Sequence, residues 1–336
     1  MRSKTIRRAV RILEARIGLI TNRESLLPVL PPPLEVHSLL TDFLEVEPLP
    51  YCSSVDGKIS VIENPSTRPS YRISGTQVSW RGPLMALSQQ ASDPRFSLWG
   101  NLGFLYRFTL FLLEKRHRIY NLHACALYEP SQRRLYVIVG GAGSGKSVYL
   151  LAGLERGLAL FSTETLHFRH EGRNVRWFMG SLADNIRVAT LRQHFPRFLP
   201  AEMGGPREDD RSRKIVIDLS SYRHSEKTLI DPDCFLIFPR IEEGFEETVI
   251  RPLGDTRESS QALFANVSEK LSQTTILYDR VPVPGFDSAR LAEGRLAACR
   301  CLAQHKATVF CGAVLSSPRN CWGDLIERKL PRRRKS

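Results

Sequence analysis

Residues 140–147 read Gly140-Gly141-Ala142-Gly143-Ser144-Gly145-Lys146-Ser147, and this run sets the architecture that we expect around it. It matches the phosphate-loop pattern G-x-x-x-x-G-K-[ST] at every fixed position. Glycines allow positive φ and let the backbone approach an anion, and the N–H groups of a helix N-terminus attract phosphate. We therefore predict that this run, together with Val148, binds a nucleotide, with Lys146 on its β- and γ-phosphates and Ser147 on Mg²⁺.

The flanking residues fit such a loop. Leu135–Val139 is a short apolar run that predicts a buried strand, and 148–157 is helix-like. Gly157 stands where a helix C-terminal cap belongs. A glycine-rich turn without a ligand is the alternative, and the strand and helix on either side favour the phosphate loop.

The composition sets outer limits on the class of protein. The chain has 336 residues and 42% hydrophobic content, which suits one large domain or two. It lacks a run of 18 apolar residues, so we expect no transmembrane helix. The seven cysteines form no C-x-x-C pair or zinc spacing, which favours reduced thiols and a cytoplasmic protein. An Arg-rich presequence of mitochondrial type over 5–20 is an alternative that Glu14 weakens.

The net charge of +13 comes in part from basic clusters at both termini. One interpretation is binding to nucleic acid or another acidic partner. The other is a pair of solvated tails, which we favour because no nucleic-acid motif accompanies the charge. We therefore do not expect nucleic acid as a partner.

Four ranges are expected along the chain. The apolar residues Ala9, Ile12, Leu13 and Ile17 recur at helical spacing, with arginines between them, and prolines follow. Clean alternation over 58–63 and 71–80 predicts strands, and Asp56-Gly57 resembles a hairpin turn. The ranges are a basic helix and Pro-rich linker (1–34), a β-rich N-terminal subdomain (35–97), a nucleotide-binding domain (98–325) and a basic tail (326–336).

The expected nucleotide-binding domain begins with a helix over 98–118 and a strand over 121–128. Only a polar turn separates that strand from the phosphate-loop strand, so we predict a hairpin. An ordinary parallel nucleotide-binding sheet would have a helix there. Further elements are predicted downstream: strands at 158–161, 165–168, 175–179, 214–219, 234–239, 248–250 and 308–311, a mobile loop at 204–213, and helices at 258–271 and 288–304, the last capped by Asp287.

This order of elements resembles the HPr kinase/phosphorylase family, whose core resembles phosphoenolpyruvate carboxykinase. The family pattern is a strand His followed by Gly or Ala, a GKS loop, and then Arg-Gly and two aspartates. Here His123-Ala124 supplies the first part and Arg156-Gly157 the third. The similarity covers roughly 115–165. It implies an α/β fold, with a mixed-sheet P-loop kinase core and an N-terminal β-rich accessory region.

The resemblance also implies an activity. Such an enzyme moves the γ-phosphoryl of ATP, with Mg²⁺, to a hydroxyl of a protein, a peptide or a small metabolite, and relatives assemble as homo-oligomers. The resemblance places His123, Glu164 and Lys146 in catalysis, and Ser147 and Glu164 on the metal. Glu164, 18 residues after Lys146, falls on the second aspartate of the family pair.

The first aspartate of that pair, the family's proton acceptor, is Thr163 here. Threonine cannot act as a general base at neutral pH. Three outcomes stay open at this point: Glu164 does both jobs, His123 accepts the proton, or the protein binds ATP without transferring phosphate. The last outcome describes a regulatory or scaffold protein of the same fold.

Simpler roles exist for these residues. A histidine on an apolar strand is often a satisfied core residue, and an acid at a strand end is often solvated. The adjacent phosphate loop favours a functional role for both His123 and Glu164. A P-loop ATPase or nucleic-acid motor is a third class, which we disfavour because no apolar strand ending in Asp-Glu follows the loop.

Overall fold

The computed structural model describes residues 5–28, 43, 46–51, 54–83, 103–141, 143–253, 256–277, 281–314 and 322. Ala142, the prolines at 31–33, the start of the helix expected at 98 and the basic tail lie outside this part of the chain. The protein is an α/β protein with mixed sheets, as predicted. None of the helices in the described ranges combines the length and the apolarity needed to cross a membrane.

The elements follow one another in chain order. The strands are β1 (Ile6–Ile12), β2 (Ala15–Thr21), β3 (Val46–Leu49), β4 (Gly57–Glu63), β5 (Ser70–Ser74), β6 (Gln77–Gly82), β7 (Tyr120–Glu129), β8 (Arg134–Val139), β9 (Ala159–Ser162), β10 (Thr165–Glu171), β11 (Asn174–Phe178), β12 (Ala183–Arg187), β13 (Lys214–Asp218), β14 (Thr228–Ile230), β15 (Asp233–Glu242), β16 (Val249–Pro252), β17 (Thr275–Leu277), β18 (Val281–Val283) and β19 (Ala307–Val314). The helices are α1 (Phe104–Leu112), α2 (Lys146–Glu155), α3 (Val188–His194), α4 (Thr256–Ser272) and α5 (Ala289–His305).

The chain divides into two compact units. Unit 1 comprises Met1–Tyr120 and Glu269–Ala292, and unit 2 comprises Asn121–Ser268 and Glu293–Ser336. Unit 1 holds a six-stranded sheet in the order β3-β1-β2-β4-β6-β5. The predicted strands over 58–63 and 71–80 are found there, with Gly75 at the turn and a positive φ of 60°.

The expected N-terminal helix is wrong. Residues 6–21 form the antiparallel pair of β1 and β2, which turns at Leu13 with a left-handed φ of 52°. Within each strand, buried apolar residues lie two positions apart, as Val10 and Ile12 do on β1 and Ile17 and Leu19 on β2, so the segment fits a strand period as well as a helical one. The segment forms strands because β1 pairs with β3 and β2 pairs with β4. Residues 6–21 alone do not reveal these partners, so a local pattern cannot choose between helix and strand.

The expected hairpin at Asp56-Gly57 is also wrong. Gly57 begins β4, which pairs in parallel with β2, and the carboxylate of Asp56 accepts a hydrogen bond from the Arg16 N–H at 2.8 Å. A Cβ on Gly57 would lie 2.8 Å from the Phe108 ring. The glycine therefore serves close packing of α1 against the sheet and not a turn.

Helix α1 is the apolar core of unit 1, and all nine of its residues are buried. Phe286 packs against Phe104, Phe108 and Phe111 at ring-centroid distances of 5.4–5.5 Å. The Arg107 guanidinium donates to the carbonyl oxygens of Lys270 and Gln273 at 3.2 and 3.1 Å. Residues 269–292 thus complete the core of a unit whose other residues come from the N-terminal third of the chain.

Unit 2 is built on a nine-stranded mixed sheet that runs β14-β11-β10-β7-β8-β15-β19-β16, with β9 also paired to β7. The predicted hairpin of β7 and β8 is confirmed, as is the hairpin of β10 and β11. Strand β15 lies parallel to both β8 and β19. Helix α2 ends as expected, with Gly157 at a φ of 83°. Helix α5 begins one residue later than predicted, at Ala289. The Asp287 carboxylate accepts from the Ser288 N–H at 2.8 Å, and the Ser288 hydroxyl accepts from the Leu291 N–H in the first turn at 3.4 Å.

Candidate functional site

The phosphate-loop residues connect β8 to α2, which begins at Lys146. Gly143 and Gly145 have left-handed φ values of 82° and 100°. A Cβ on Gly145 would also lie 2.9 Å from the Ile241 side chain, so this position excludes other residues on two grounds. At Gly141 and Gly143 a Cβ would meet nothing within 4 Å, so the loop leaves open space beside its backbone.

Further polar contacts hold the loop together. The Ser144 hydroxyl donates to the Gly141 carbonyl at 3.0 Å, and the N–H of Val148 donates to the Gly145 carbonyl at 3.0 Å. The N–H of Gly140 donates to the carbonyl of His123 on β7. The loop is therefore tied at its start to the strand that carries the predicted histidine.

Lys146 is buried, and its ammonium group has two partners. It donates to the Gly141 carbonyl at 3.1 Å, and it lies 3.2 Å from Nε2 of His123. Because an ammonium group only donates, Nε2 accepts in this arrangement and a neutral ring carries its proton on Nδ1. The lysine thus spans the loop and the neighbouring strand.

His123 also meets the acid predicted from the sequence. Nε2 of His123 lies 3.6 Å from Oε1 of Glu164, which follows β9. The main chains are joined as well, since the Ala124 N–H donates to the Glu164 carbonyl at 3.1 Å. The structure thus brings His123, Lys146 and Glu164 together at the N-terminus of α2. Their roles stay predictions.

Asp184 on β12 belongs to this cluster, and the sequence analysis missed it. Its Oδ2 accepts a hydrogen bond from the Ser147 hydroxyl at 2.9 Å, and only 5% of the residue is exposed. Burial raises the pKa of Asp184 to about 7, and the Glu164 carboxylate adds to the rise, against the opposing effects of the Ser147 hydrogen bond and the Lys146 charge. Two carboxylates and one ammonium group therefore share the site.

The sequence carries little signal for this aspartate. The usual signal for such an acid is an apolar strand that ends in Asp-Glu, whereas Asp184 lies in the mixed run Ser181-Leu182-Ala183-Asp184-Asn185. Among the described residues, its strand pairs with β13 in a two-stranded sheet separate from the main sheet of unit 2. The pairing of its carboxylate with Ser147 is a tertiary contact between residues 37 positions apart.

Thr163 holds the segment that carries Asp184. Its hydroxyl is buried and lies 2.6 Å from the Ala183 carbonyl, 3.0 Å from the Ser181 hydroxyl and 3.1 Å from the Ser181 carbonyl. The Thr163 N–H also donates to the Ser181 carbonyl at 2.9 Å. Thr163 thus bonds to the chain just before Asp184, and its hydroxyl is fully engaged there.

The loop expected at 204–213 folds back onto α3. Nε of Arg192 donates to Asp210 at 2.7 Å, and its Nη2 donates to the carbonyls of Gly204 and Gly205 at 2.7 and 2.9 Å. Residues 208–211 form a short 3-10 turn. One arginine thereby fixes both ends of the segment.

The site also limits which chemistry is available. Burial raises the pKa of the Cys125 thiol, which lies beneath the loop and donates to the Lys146 carbonyl, so it stays protonated and is no nucleophile. Within the described residues, no group of three or more His, Cys, Asp and Glu side chains is arranged to hold a metal ion by itself. Mg²⁺ commonly takes only one or two protein carboxylates and completes its shell with substrate phosphates and water.

Comparison with known proteins gives only distant likenesses, all among solved structures. No protein-family model matches the chain, and no curated protein matches it. Among solved structures, the Hpr(Ser) kinase/phosphatase from Coxiella burnetii is similar, with 17% identity and a TM-score of 0.23, over 55% of this chain and 95% of that chain. A likeness at this level carries no weight for fold or activity.

Proposed function

We propose that this protein is an ATP-dependent phosphotransferase that moves the γ-phosphoryl of ATP to a hydroxyl of a protein, a peptide or a small metabolite. The observation that carries the proposal is the 2.9 Å hydrogen bond from the Ser147 hydroxyl to Asp184, beside Lys146 at the start of α2. In P-loop enzymes a loop Ser or Thr and an aspartate from another strand hold the Mg²⁺ of the nucleotide, and the loop lysine neutralises the phosphates.

The residues present fit a magnesium nucleotide. The open space beside Gly141 and Gly143 would admit phosphates to the loop backbone. Ser147 and Asp184 would hold the metal, with Glu164 beside them. Burial raises the pKa of Asp184 and the Glu164 carboxylate adds to the rise, and a divalent cation would offset both effects. Bound Mg²⁺ would supply neutralisation of the charge on the transferring phosphoryl group.

Glu164 is the group that we assign as proton acceptor. Its side chain is 37% exposed, whereas Asp184 is 5% exposed, so an acceptor hydroxyl can reach Glu164 and not Asp184. In the step, the acceptor oxygen bonds to the γ-phosphorus, the bond to the β–γ bridging oxygen breaks, and the hydroxyl proton passes to Glu164. ADP leaves with the electron pair of the broken bond. His123, next to both Glu164 and Lys146, orients the two groups.

A second candidate is an ATP-binding regulatory protein that transfers nothing. Thr163 favours it, because this residue stands where the resembling family has its base and its hydroxyl is occupied by Ser181 and Ala183. In this case the nucleotide would bind at the same loop and no acceptor would be labelled.

The test is transfer of label from γ-labelled ATP, with Mg²⁺, to a lysate of the native host. We expect one labelled protein or metabolite with the wild-type protein and none with Lys146→Ala. Lys214→Ala, an exposed lysine of the same unit, is the matched control and should label normally. Absence of Mg-nucleotide binding to the wild-type protein would contradict both candidates, and tight binding without transfer would favour the second.

A further inference from the structure

The side chain of Asn266 on α4 makes two hydrogen bonds to the main chain of one residue, His123. The His123 N–H donates to Oδ1 of Asn266 at 2.9 Å, and Nδ2 of Asn266 donates to the His123 carbonyl at 3.0 Å. His123 and Asn266 are 143 positions apart in the chain. The pattern is the one by which a neighbouring strand binds a residue in an antiparallel ladder.

The position of the contact explains why such a partner is needed. The ladder between β7 and β8 ends at the pair Ala124 and Val139, because the chain leaves β8 there to form the phosphate loop. His123 lies one residue beyond that pair. The amide of Asn266 therefore supplies an acceptor to the His123 N–H just beyond the end of this ladder, and it adds a second donor to the His123 carbonyl.

The same contact reaches the phosphate loop. The His123 carbonyl accepts from Nδ2 of Asn266 and also from the N–H of Gly140, at 3.2 Å. One carbonyl oxygen thus joins α4, β7 and the first glycine of the loop. The side chain of His123 also reaches the loop, because its Nε2 lies 3.2 Å from Nζ of Lys146.

We propose that Asn266 is a positioning residue: its amide fixes the main chain of His123 and the start of the phosphate loop, and so sets the His123 ring against Lys146 and Glu164. Its effect on phosphoryl transfer rests on the proposed function. Its effect on the ring of His123 does not, because that effect is a property of the protein without nucleotide.

Only an amide of this length performs both halves of the contact. Aspartate keeps the acceptor for the His123 N–H, but it sets a second oxygen against the His123 carbonyl, where the structure has a donor. Leucine has nearly the same shape and offers neither group. The pair Asn266→Leu and Asn266→Asp therefore separates loss of the contact from electrostatic repulsion at one end of it.

The first experiment is a ¹H–¹⁵N spectrum of protein labelled at its eight histidines, recorded without nucleotide. The His123 ring signals are assigned by their absence in His123→Gln. We expect them to shift or broaden in Asn266→Leu and in Asn266→Asp, while the other ring signals stay in place. Asn174→Leu, which changes the exposed asparagine that begins β11, is the matched control and should leave the His123 signals unchanged.

The second experiment measures transfer from γ-labelled ATP and, separately, the Kd of Mg-ADP. For Asn266→Leu we expect the maximal rate to fall by about 10-fold or more, because small displacements of reacting groups are costly, while the Kd changes by less than about threefold. A purely structural role would lower Tm and leave the rate of the folded fraction unchanged. If Asn266→Leu does not fold, Asn266→Ser, which retains one polar group, is used for the same readouts.

Wild-type ring signals for His123 in folded Asn266→Leu would overturn the proposal, whatever the activity. Shifted ring signals with a wild-type transfer rate would overturn its catalytic part. If the wild-type protein binds no Mg-nucleotide, the proposed function fails, and the histidine spectrum still decides whether Asn266 positions His123.

Discussion

Asp184 and Glu164 place two carboxylates beside one ammonium group, and this has a consequence for stability. Burial raises the pKa of Asp184 above that of an unfolded aspartate, so the folded protein binds this proton more tightly. The free energy of unfolding therefore falls as the pH rises from about 4 to about 7, because ionisation is harder in the folded state. At pH 8 the ionised carboxylate destabilises the protein that lacks metal.

Asp184→Asn removes this titration and keeps an acceptor for Ser147. We expect the variant without metal to be more stable than wild type at pH 8, by about 1–3 kcal/mol, and the difference to vanish near pH 4. Urea unfolding at both pH values in the presence of a chelator measures it. A variant that is less stable than wild type at pH 8 would contradict this prediction. It would show that Ser147 and Lys146 stabilise the ionised Asp184 by more than burial and Glu164 destabilise it.

Thr163 gives a second prediction at the level of one residue. Thr163→Asp would set a carboxylate against the carbonyl oxygens of Ser181 and Ala183 in a buried place. We expect it to destabilise the protein by roughly 3–5 kcal/mol and to add no transfer activity. Thr163→Ser, which keeps the hydroxyl, should lose little. A stable Thr163→Asp protein with faster transfer would mean that this side chain reaches the site after all.

Among the elements, the link from β8 to α2 depends on backbone conformation. Gly145→Ala would place a Cβ at a φ of 100° and 2.9 Å from Ile241. Gly157→Ala is a matched control, because its φ is 83° and a Cβ there would meet nothing within 4 Å. We expect both to lose about 1–2 kcal/mol of stability from the left-handed backbone.

Of these two variants, only Gly145→Ala should also weaken Mg-ATP binding, by about 10-fold or more. Gly145 belongs to the anion-binding turn, whereas Gly157 lies at the other end of α2. Calorimetric titration of both variants with Mg-ATP measures the difference. Equal affinities for the two variants would show that the loop does not need this conformation to bind nucleotide.

Local patterns predicted the elements of unit 2 well and the first elements of unit 1 poorly. The strand, glycine run and helix around Lys146 are contiguous, so the sequence contains their partners. The β1 segment is different, because its apolar residues fit two periods and only its pairing with β2 and β3 decides between them. Asp184 was missed for a related reason, since its meaning lies in a contact with Ser147 and not in its neighbours.

For the whole molecule, the main structural consequence is that unit 1 is discontinuous. The Arg107 side chain binds carbonyls of Lys270 and Gln273, and Phe286 completes the aromatic cluster of α1. The boundary predicted near residue 98 keeps α1 and these partners in one range, but it separates them from the sheet of β1–β6, which belongs to the same unit. The function of each predicted range stays a prediction.

A fragment of residues 1–120 should not fold by itself, because it lacks 269–292. We expect a flat thermal profile and no near-ultraviolet signal from its buried Trp80, which in the whole chain is 3% exposed. Circular dichroism of the fragment and of the full chain gives the comparison. A cooperative transition in the fragment alone would contradict the assignment of 269–292 to the core of this unit.

The central claim is that Ser147 and Asp184 serve a magnesium nucleotide at the phosphate loop. The most direct test is calorimetric titration of ATP into the wild-type protein and into Asp184→Asn, each with Mg²⁺ and with a chelator. We predict that Mg²⁺ tightens ATP binding to the wild-type protein by about 10-fold or more and that this gain is largely lost in Asp184→Asn. ATP binding that is absent, or that is indifferent to Mg²⁺ in the wild-type protein, would contradict the claim.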